Sequence, residues 1–340
     1  MNLDPPRLEL SAPPGGSKSG VIKVGNPGDV SLKLKAYVQD WIYDPPGNRV
    51  FKPAGTTPLS CSNWIHLYPE QLEVKPGEKA EIMYTLSVPA DAKGGRYAVI
   101  FFEGTLGSGS TEEGVIVRLA GRMGTIVLEE TEGTVIKKGE IASLKISRPD
   151  ENKPLDIEVS FKNEGNVFLA PSGVVNIIDK EGNFFGRQEF QLKGTLPGDT
   201  IEGKVSLLSS LPEGEYDVIA TLDLGAEEAA VKETKLAVIK KGEIERFDVA
   251  VLQDKPPVFS INFSNDGNLN IETEGKIDIV DDNGQVVASS IAAKSLIAPD
   301  SRKEISIALD KKLPSGEYKA RAIFNFDGQT VSKENRFSIK

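Results

Sequence analysis

The sequence predicts an all-β protein built as three β-sandwiches in tandem, and three observations predict it. The heptapeptide Val-Ile-Lys-Lys-Gly-Glu-Ile stands at residues 135–141 and again, letter for letter, at 238–244. Apolar and polar residues alternate with a period of two between turn signals, the mark of strands with one buried face. Gly-x-Tyr recurs at 95–97, 214–216 and 316–318, each time opening an alternating run.

The repeat sets the domain organisation. After each heptapeptide the text runs in parallel: Phe161-Lys-Asn-Glu-Gly-Asn166 answers Phe263-Ser-Asn-Asp-Gly-Asn268, residues 179–183 (DKEGN) answer 281–285 (DDNGQ), and 211–216 (LPEGEY) answer 313–318 (LPSGEY). Two homologous units follow, 137–239 and 240–340. Residues 1–136 carry a looser copy, with Val24-Gly-Asn-Pro-Gly-Asp29 for the asparagine loop, Lys75-Pro-Gly-Glu78 for Leu196-Pro-Gly-Asp199, and 88–97 (VPADAKGGRY) for LPEGEY. This first unit is the longer, with an insertion expected around 42–74. The heptapeptide reads as the last strand of one sandwich entering the first strand of the next, with Gly139 and Gly242 at the hinge.

Strands follow from the alternation. Val30, Leu32, Leu34, Ala36 and Val38 are expected inward on one run, Ala80, Ile82, Tyr84, Leu86 and Val88 on a second, and Tyr216, Val218, Ala220, Leu222 and Leu224 on a third. Residues 226–234 (AEEAAVKET) are rich in helix formers, but their counterpart 327–335 (DGQTVSKEN) reads as a turn into a strand, so tertiary context should override propensity there. A tyrosine opening the sixth strand of an immunoglobulin-like sandwich bonds back to the preceding corner. Two residues on, Val99, Val218 and Ala320 replace the cysteine of antibody domains, so the cores are expected to close on aliphatic packing alone. Three tandem immunoglobulin-like β-sandwich domains are therefore predicted.

Composition narrows the function. A formal charge of −10 with interspersed signs argues against nucleic acid as partner. Among 340 residues there is one histidine, His66, and one cysteine, Cys61, so a histidine-based metal site, a thiolate cluster or a histidine-dependent catalytic pair has no ligands to draw on. His66 shares strand parity with Trp64 and is expected packed or half-exposed; Cys61 is expected to be an inert thiol. The loops at Asp179 and Asp281 read as tight hairpins rather than calcium loops. No cofactor, no metal and no enzymatic activity are expected. No apolar run reaches the roughly 18 residues a membrane helix needs. The start, Met1-Asn-Leu-Asp-Pro-Pro, has neither the basic nor the apolar part of a secretory signal; this fits a cytoplasmic protein or a mature, exported region placed behind a start methionine, and the architecture favours the second, with room for a membrane anchor outside these residues.

The second and third units resemble bacterial extracellular immunoglobulin-like repeats of the cell-adhesion-related type, whose pattern is strand, Asn-x-Gly-Asn, strand, Asp-x-x-Gly, strand, Leu-Pro-x-Gly-x-Tyr. The first unit resembles the N-terminal domain of PapD-type periplasmic pilus chaperones, through Pro-Arg-Leu-Glu-Leu (6–10), Ile-Lys-Val-Gly-Asn (22–26), Ala-Tyr-Val-Gln-Asp-Trp (36–41), Lys-Pro-Gly-Glu (75–78) and the late strand at 114–126. The resemblance implies an arginine and a lysine that clamp a pilin's terminal carboxylate, and a last strand that lends alternate apolar side chains to the pilin. Arg7 matches the arginine. The lysine position falls on Gly124, with Arg122 two residues earlier on the same face.

Arg7 and Arg122 are thus candidate partner contacts, and Val115, Val117 and Leu119 a candidate edge for strand addition. The plainer readings are two solvated arginines and three core-facing residues. The loop 104–114 lacks the lysine and following helix of a phosphate cradle and reads as a strand connection; the chaperone resemblance implies that it becomes ordered on subunit binding. The expected function is a non-enzymatic, exported protein of the periplasm or cell surface, serving as a protein-binding, adhesion or spacer module. Its expected partner is another envelope protein or a cell-wall component. The alternative is a pilus-assembly chaperone that captures its partner by strand addition.

Overall fold

The computed structural model describes residues 1–110, 116–150, 153–207, 211–253 and 255–340, with the side chains of 105–119 outside that description. Among the described residues there is no α-helix, only a 3-10 turn at Ser62–Trp64. Six sheets pair into three immunoglobulin-like sandwiches.

The first unit contributes β1 (Asn2–Asp4), β2 (Arg7–Ala12), β3 (Ser17–Gly25), β4 (Leu32–Tyr43), β5 (Arg49–Lys52), β6 (Ile65–Tyr68), β7 (Gln71–Val74), β8 (Lys79–Ser87), β9 (Gly95–Ser110) and β10 (Ile116–Thr131). One sheet runs β1-β3-β8-β6 and the facing one β2-β10-β9-β4-β5, with β7 also on β4. The second unit has β11 (Gly139–Ile146), β12 (Leu155–Asn163), β13 (Ser172–Asp179), β14 (Phe184–Gln191), β15 (Thr200–Leu207), β16 (Gly214–Asp223) and β17 (Ala230–Val238), in sheets β11-β12-β15 and β14-β13-β16-β17. The third repeats that order with β18 (Gly242–Ala250), β19 (Val258–Asn265), β20 (Ile271–Val280), β21 (Val286–Ile291), β22 (Ser295–Ile297), β23 (Ser301–Ala308), β24 (Gly316–Phe326) and β25 (Gln329–Ile339): sheets β18-β19-β23 and β21-β20-β24-β25, with β22 on β20.

Period-two burial builds each core. On β12 Leu155, Ile157, Val159 and Phe161 all face inward. Each such side chain contributes roughly 1.5–3 kcal/mol of burial. The residues rich in helix formers enter a strand, as their counterpart does: β17 begins at Ala230. β11 and β18 bulge at the same place, after Ile141 and Ile244, and in both a lysine from the last strand caps the bulge, Lys232 Nζ on Ala142 O at 2.7 Å and Lys333 Nζ on Ile244 O at 3.1 Å.

Several expectations are corrected. Val30 precedes its strand and is 53% exposed. His66 is exposed while Trp64 packs on the core, because Trp64 belongs to the 3-10 turn that precedes the strand of His66, so the two share no strand parity. The cores are not aliphatic alone: Phe259, Phe263 and Phe324 fill the third, with Phe263 and Phe324 centroids 5.6 Å apart. The segment Asp44-Pro-Pro-Gly-Asn48 is not inserted material but a third copy of the hairpin at Asp179 and Asp281. Asp44 N bonds Asn48 O and Gly47 N bonds Asp44 O, as Asp179 N bonds Asn183 O and Gly182 N bonds Asp179 O.

The joints differ from the expected strand-to-strand passage. At the first, β10 stops at Thr131 and residues 135–138 are coil; at the second, β17 ends at Val238 and 239–241 are coil. Gly139 and Gly242 are strand residues whose missing Cβ makes room for the rings of Phe161 and Phe263, so close packing rather than hinge freedom requires glycine there.

Candidate functional site

The site is the outer face of the β2-β10-β9-β4-β5 sheet together with the edge of β10. In the second and third units the tyrosine-led strand buries alternate residues. In the first, every residue from Tyr97 to Phe102 is buried. Ala98, Ile100 and Phe102 join the sandwich core, whereas Tyr97, Val99 and Phe101 face the other way. A strand buried on both faces is a continuous apolar run, and Tyr97-Ala-Val-Ile-Phe-Phe102 was that signal in the sequence.

What covers the outer face is a cluster of Trp41, Tyr97, Val99, Phe101, Ile126 and Leu128 from the first unit with Leu196 from the second, ringed by Tyr37, Tyr43, Phe51, Leu59 and Phe168. Trp41 stands at the centre. Its indole Nε1 donates to Ala98 O at 3.0 Å, and its ring lies 5.3 Å from Tyr43, 5.7 Å from Tyr97 and 6.5 Å from Phe168 of the second unit. Tyr216 and Tyr318 make the expected corner bonds, to Pro212 O at 2.8 Å and Pro314 O at 2.9 Å. Tyr97 does not. Its buried hydroxyl faces the Phe168 backbone without a hydrogen bond of normal geometry, and burial pushes the phenol far above its ordinary range.

Three arginines lie on aromatic rings of this face: Arg7 5.3 Å from the Phe168 centroid, Arg49 5.1 Å from Trp41, and Arg122 4.4 Å from Phe101 and 5.5 Å from Phe51. Arg7 also pairs with Glu9 at 2.7 Å. Tyr37 donates to the Glu103 carboxylate; burial and Glu103 raise its phenol and Arg122 opposes them. Arg7 registers with Ile126, and Arg122 sits four residues earlier on β10, roughly 13 Å along the strand. The two candidate arginines therefore share a face but are committed to different rings. At Gly124, the position the resemblance gives to lysine, a Cβ would come within 2.7 Å of Val99 and 2.9 Å of Phe101, so any side chain there displaces the aromatic face.

β10 pairs with β9 from Ile116 to Glu130 but with β2 only from Ile126 to Thr131. Among the described residues, no strand pairs with its other edge from Ile116 to Gly124. Val117 and Leu119 lie on that stretch, opposite Gly109 and Gly107 of β9. Val115 and the tip of the 104–114 loop lie outside the described residues, as do the side chains of Val117 and Leu119.

Two buried carboxylates were missed in the sequence: Asp40, whose partners lie 15–20 residues away, and Glu129. Asp40 is fully buried. It accepts the amides of Gly55, Thr56 and Thr57 at 2.8–3.2 Å and the Ser60 hydroxyl at 2.6 Å. Burial alone would raise its pKa, but hydrogen bonds from Ser60, Ser62, Thr57 and Gly55 hold it below the usual carboxylate value. Glu129, fully buried on β10, goes the other way: burial pushes it up to about 7 against the opposing Thr131 bond and Arg96 charge. Beside it Cys61 is fully buried, and burial, with Glu129 and Asp40 nearby, drives its thiol well above the ordinary value.

No family model and no curated protein matches this chain. The solved structures it is similar to include fimbrial and pilus chaperones and a PapD-like domain of human CEP192. The class 5 fimbriae chaperone CfaA matches with 16% identity over 68% of this chain and 97% of its own, at a TM-score of 0.38. The chaperone DraB of E. coli matches with 12% identity over 70% and 97%, at 0.33. The CsuC–CsuE chaperone and tip subunit complex of Acinetobacter baumannii matches with 15% identity over 59% and 88%, at 0.33.

Proposed function

We propose that this chain is a non-enzymatic, exported protein of the cell envelope whose first unit, residues 1–136, captures a protein partner by β-strand addition, with units 137–239 and 240–340 carried behind it. One observation carries the reading. β10 is paired on both sides from Ile126 on, and among the described residues only with β9 from Ile116 to Gly124, so the N–H and C=O groups of that stretch's other edge are a template for a strand from another protein. Alternate apolar residues at Val115, Val117 and Leu119 suit an apolar partner strand, and Arg7 and Arg122 on the adjoining face supply cations for its polar or terminal carboxylates.

The test is site-specific photo-crosslinking from positions 117 and 119 of the full chain in cell-envelope extract. One small protein, linked through an extended segment and lost on Val117→Asp or Arg122→Ala, supports the reading. Crosslinks unchanged by both substitutions overturn it.

The near-duplicate second and third units favour a second role on the same chain, as a spacer or adhesion module for another envelope protein or a cell-wall component. Binding that survives Val117→Asp and Arg122→Ala but is lost on substitutions confined to residues 137–340 selects it.

A further inference from the structure

We infer that the last asparagine of each Asn-x-Gly-Asn loop, Asn166 and Asn268, locks its sandwich to the chain arriving from the sandwich before it, so that both joints are fixed splices and the third unit is carried at a set orientation. The two asparagines of the loop do different work. The first acts within its own unit: the amides of Asn26, Asn163 and Asn265 each donate to two backbone carbonyls, at 2.8–3.2 Å, and accept a glycine N–H. The second reaches out. Asn166 Oδ1 accepts from Ile136 N at 2.7 Å and its Nδ2 donates to Thr134 O at 2.8 Å. Asn268 does the same with Ile239 N at 2.8 Å and Ala237 O at 2.5 Å.

Backbone bonds extend each clasp. Ile136 O and Lys138 O accept from Asn166 N and Glu164 N, and Ile239 O and Lys241 O from Asn268 N and Asp266 N, at 2.8–3.0 Å. At the first joint Gly95 N of the first unit also donates to Asn166 O at 2.7 Å; at the second, Glu213 of the second unit accepts from Lys240 N at 2.7 Å. The loop glycine is required by this contact, since a Cβ on Gly165 or Gly267 would strike the carbonyl of Ile136 or Ile239. That is why Val-Ile-Lys-Lys is restated: it is the segment the clasp grips.

Ion pairs hold the second joint further. Lys240, its side chain 12% exposed, pairs with Asp327 at 3.0 Å, and Arg148 of the second unit pairs with Asp300 of the third at 2.6 Å. Three residues after the carbonyl gripped by the first asparagine, the other units have Gly77 and Gly198 at positive φ; the third has Asp300 at φ 53, a rare conformation for a residue with a side chain, and that side chain makes the cross-unit pair.

The first unit supplies the control. Its loop has Asp29 where the others have the second asparagine, and a Cβ on Gly28 would meet only the Asn26 side chain, so the loop folds with a carboxylate there. A carboxylate has no N–H for a carbonyl. The experiment is double electron–electron resonance on the full chain, with spin labels at Lys35→Cys and Glu227→Cys across the first joint, and at Glu227→Cys and Lys303→Cys across the second; Cys61 is buried and stays unlabelled. Each pair is expected to give one narrow distance peak. Asn166→Asp should abolish the narrow peak of the first pair alone and Asn268→Asp that of the second alone, the untouched joint reporting that the chain is folded. A broad distribution in the parent chain, or a narrow peak retained at the substituted joint, overturns the inference.

Discussion

The Arg7 guanidinium lies 5.3 Å from the Phe168 ring centroid, so the second strand of the first sandwich is stacked on an aromatic of the second. Phe168 also meets Trp41, and both tryptophans of the chain, Trp41 and Trp64, lie in the first unit, so tryptophan fluorescence follows that unit's unfolding. Phe168→Ala, though outside the unit, should lower its urea midpoint by the equivalent of about 1–3 kcal/mol, a half-buried version of the usual Phe→Ala cost. Arg7→Ala should cost about 0.5–1 kcal/mol. An unchanged midpoint in Phe168→Ala would show that the second unit does not support the first.

Tyrosines at matching positions should respond in opposite ways. Tyr216→Phe removes the bond to Pro212 O and should destabilise the second unit by about 0.5–1.5 kcal/mol. Tyr97→Phe removes a buried hydroxyl that has no such bond, and should be neutral or stabilising. Paired thermal melts decide it.

Glu129 sets a pH dependence with a definite sign. Its folded pKa of about 7 lies above the ordinary carboxylate value of 4.5, so between these values the native state holds the proton more tightly than the unfolded chain. The first unit should therefore lose stability as pH rises from about 4.5 to 7, and the cost should be fully present above that. Glu129→Gln should flatten that slope and raise the melting temperature at pH 8, by a gain on the order of 2–3 kcal/mol. Asp40 runs opposite: its pKa is depressed, so its contribution is present above the unfolded value and is lost as pH falls through the folded one. A melting temperature at pH 8 unmoved by Glu129→Gln would contradict the assignment.

Asn163→Ala should cost about 2–4 kcal/mol by stranding the buried carbonyls of Val167 and Thr195, whereas Asn166→Ala, whose bonds go to the joint, should change the second unit's own melting little. Equal losses from the two would mean that the loop's asparagines are not divided between fold and joint.

The repeated units were legible because their landmarks are local: an Asp-x-x-Gly turn, an asparagine loop and a tyrosine corner each carry their geometry within a few residues. The outer aromatic face of the first unit was not. Trp41 meets Phe168 across 127 positions of chain, and no short-range pattern announces such a pair. Alternation assigned Val30 and His66 by parity, which a strand start at Leu32 and the turn at Ser62–Trp64 reset. The apolar run 97–102 did hold the second buried face in plain view. The Asp44 hairpin was concealed by its prolines, although Asp-x-x-Gly-Asn was there to be matched to Asp179–Asn183.

The linkers gripped by Asn166 and Asn268 have a mechanical meaning. Their bonds to the following loop lie across the direction of the chain, as in any antiparallel pair. A pull along the molecule loads these bonds together, in shear, instead of peeling them one at a time. Tension applied at the third sandwich is then delivered through both splices to the first, whose β10 edge from Ile116 to Gly124 pairs with no strand among the described residues.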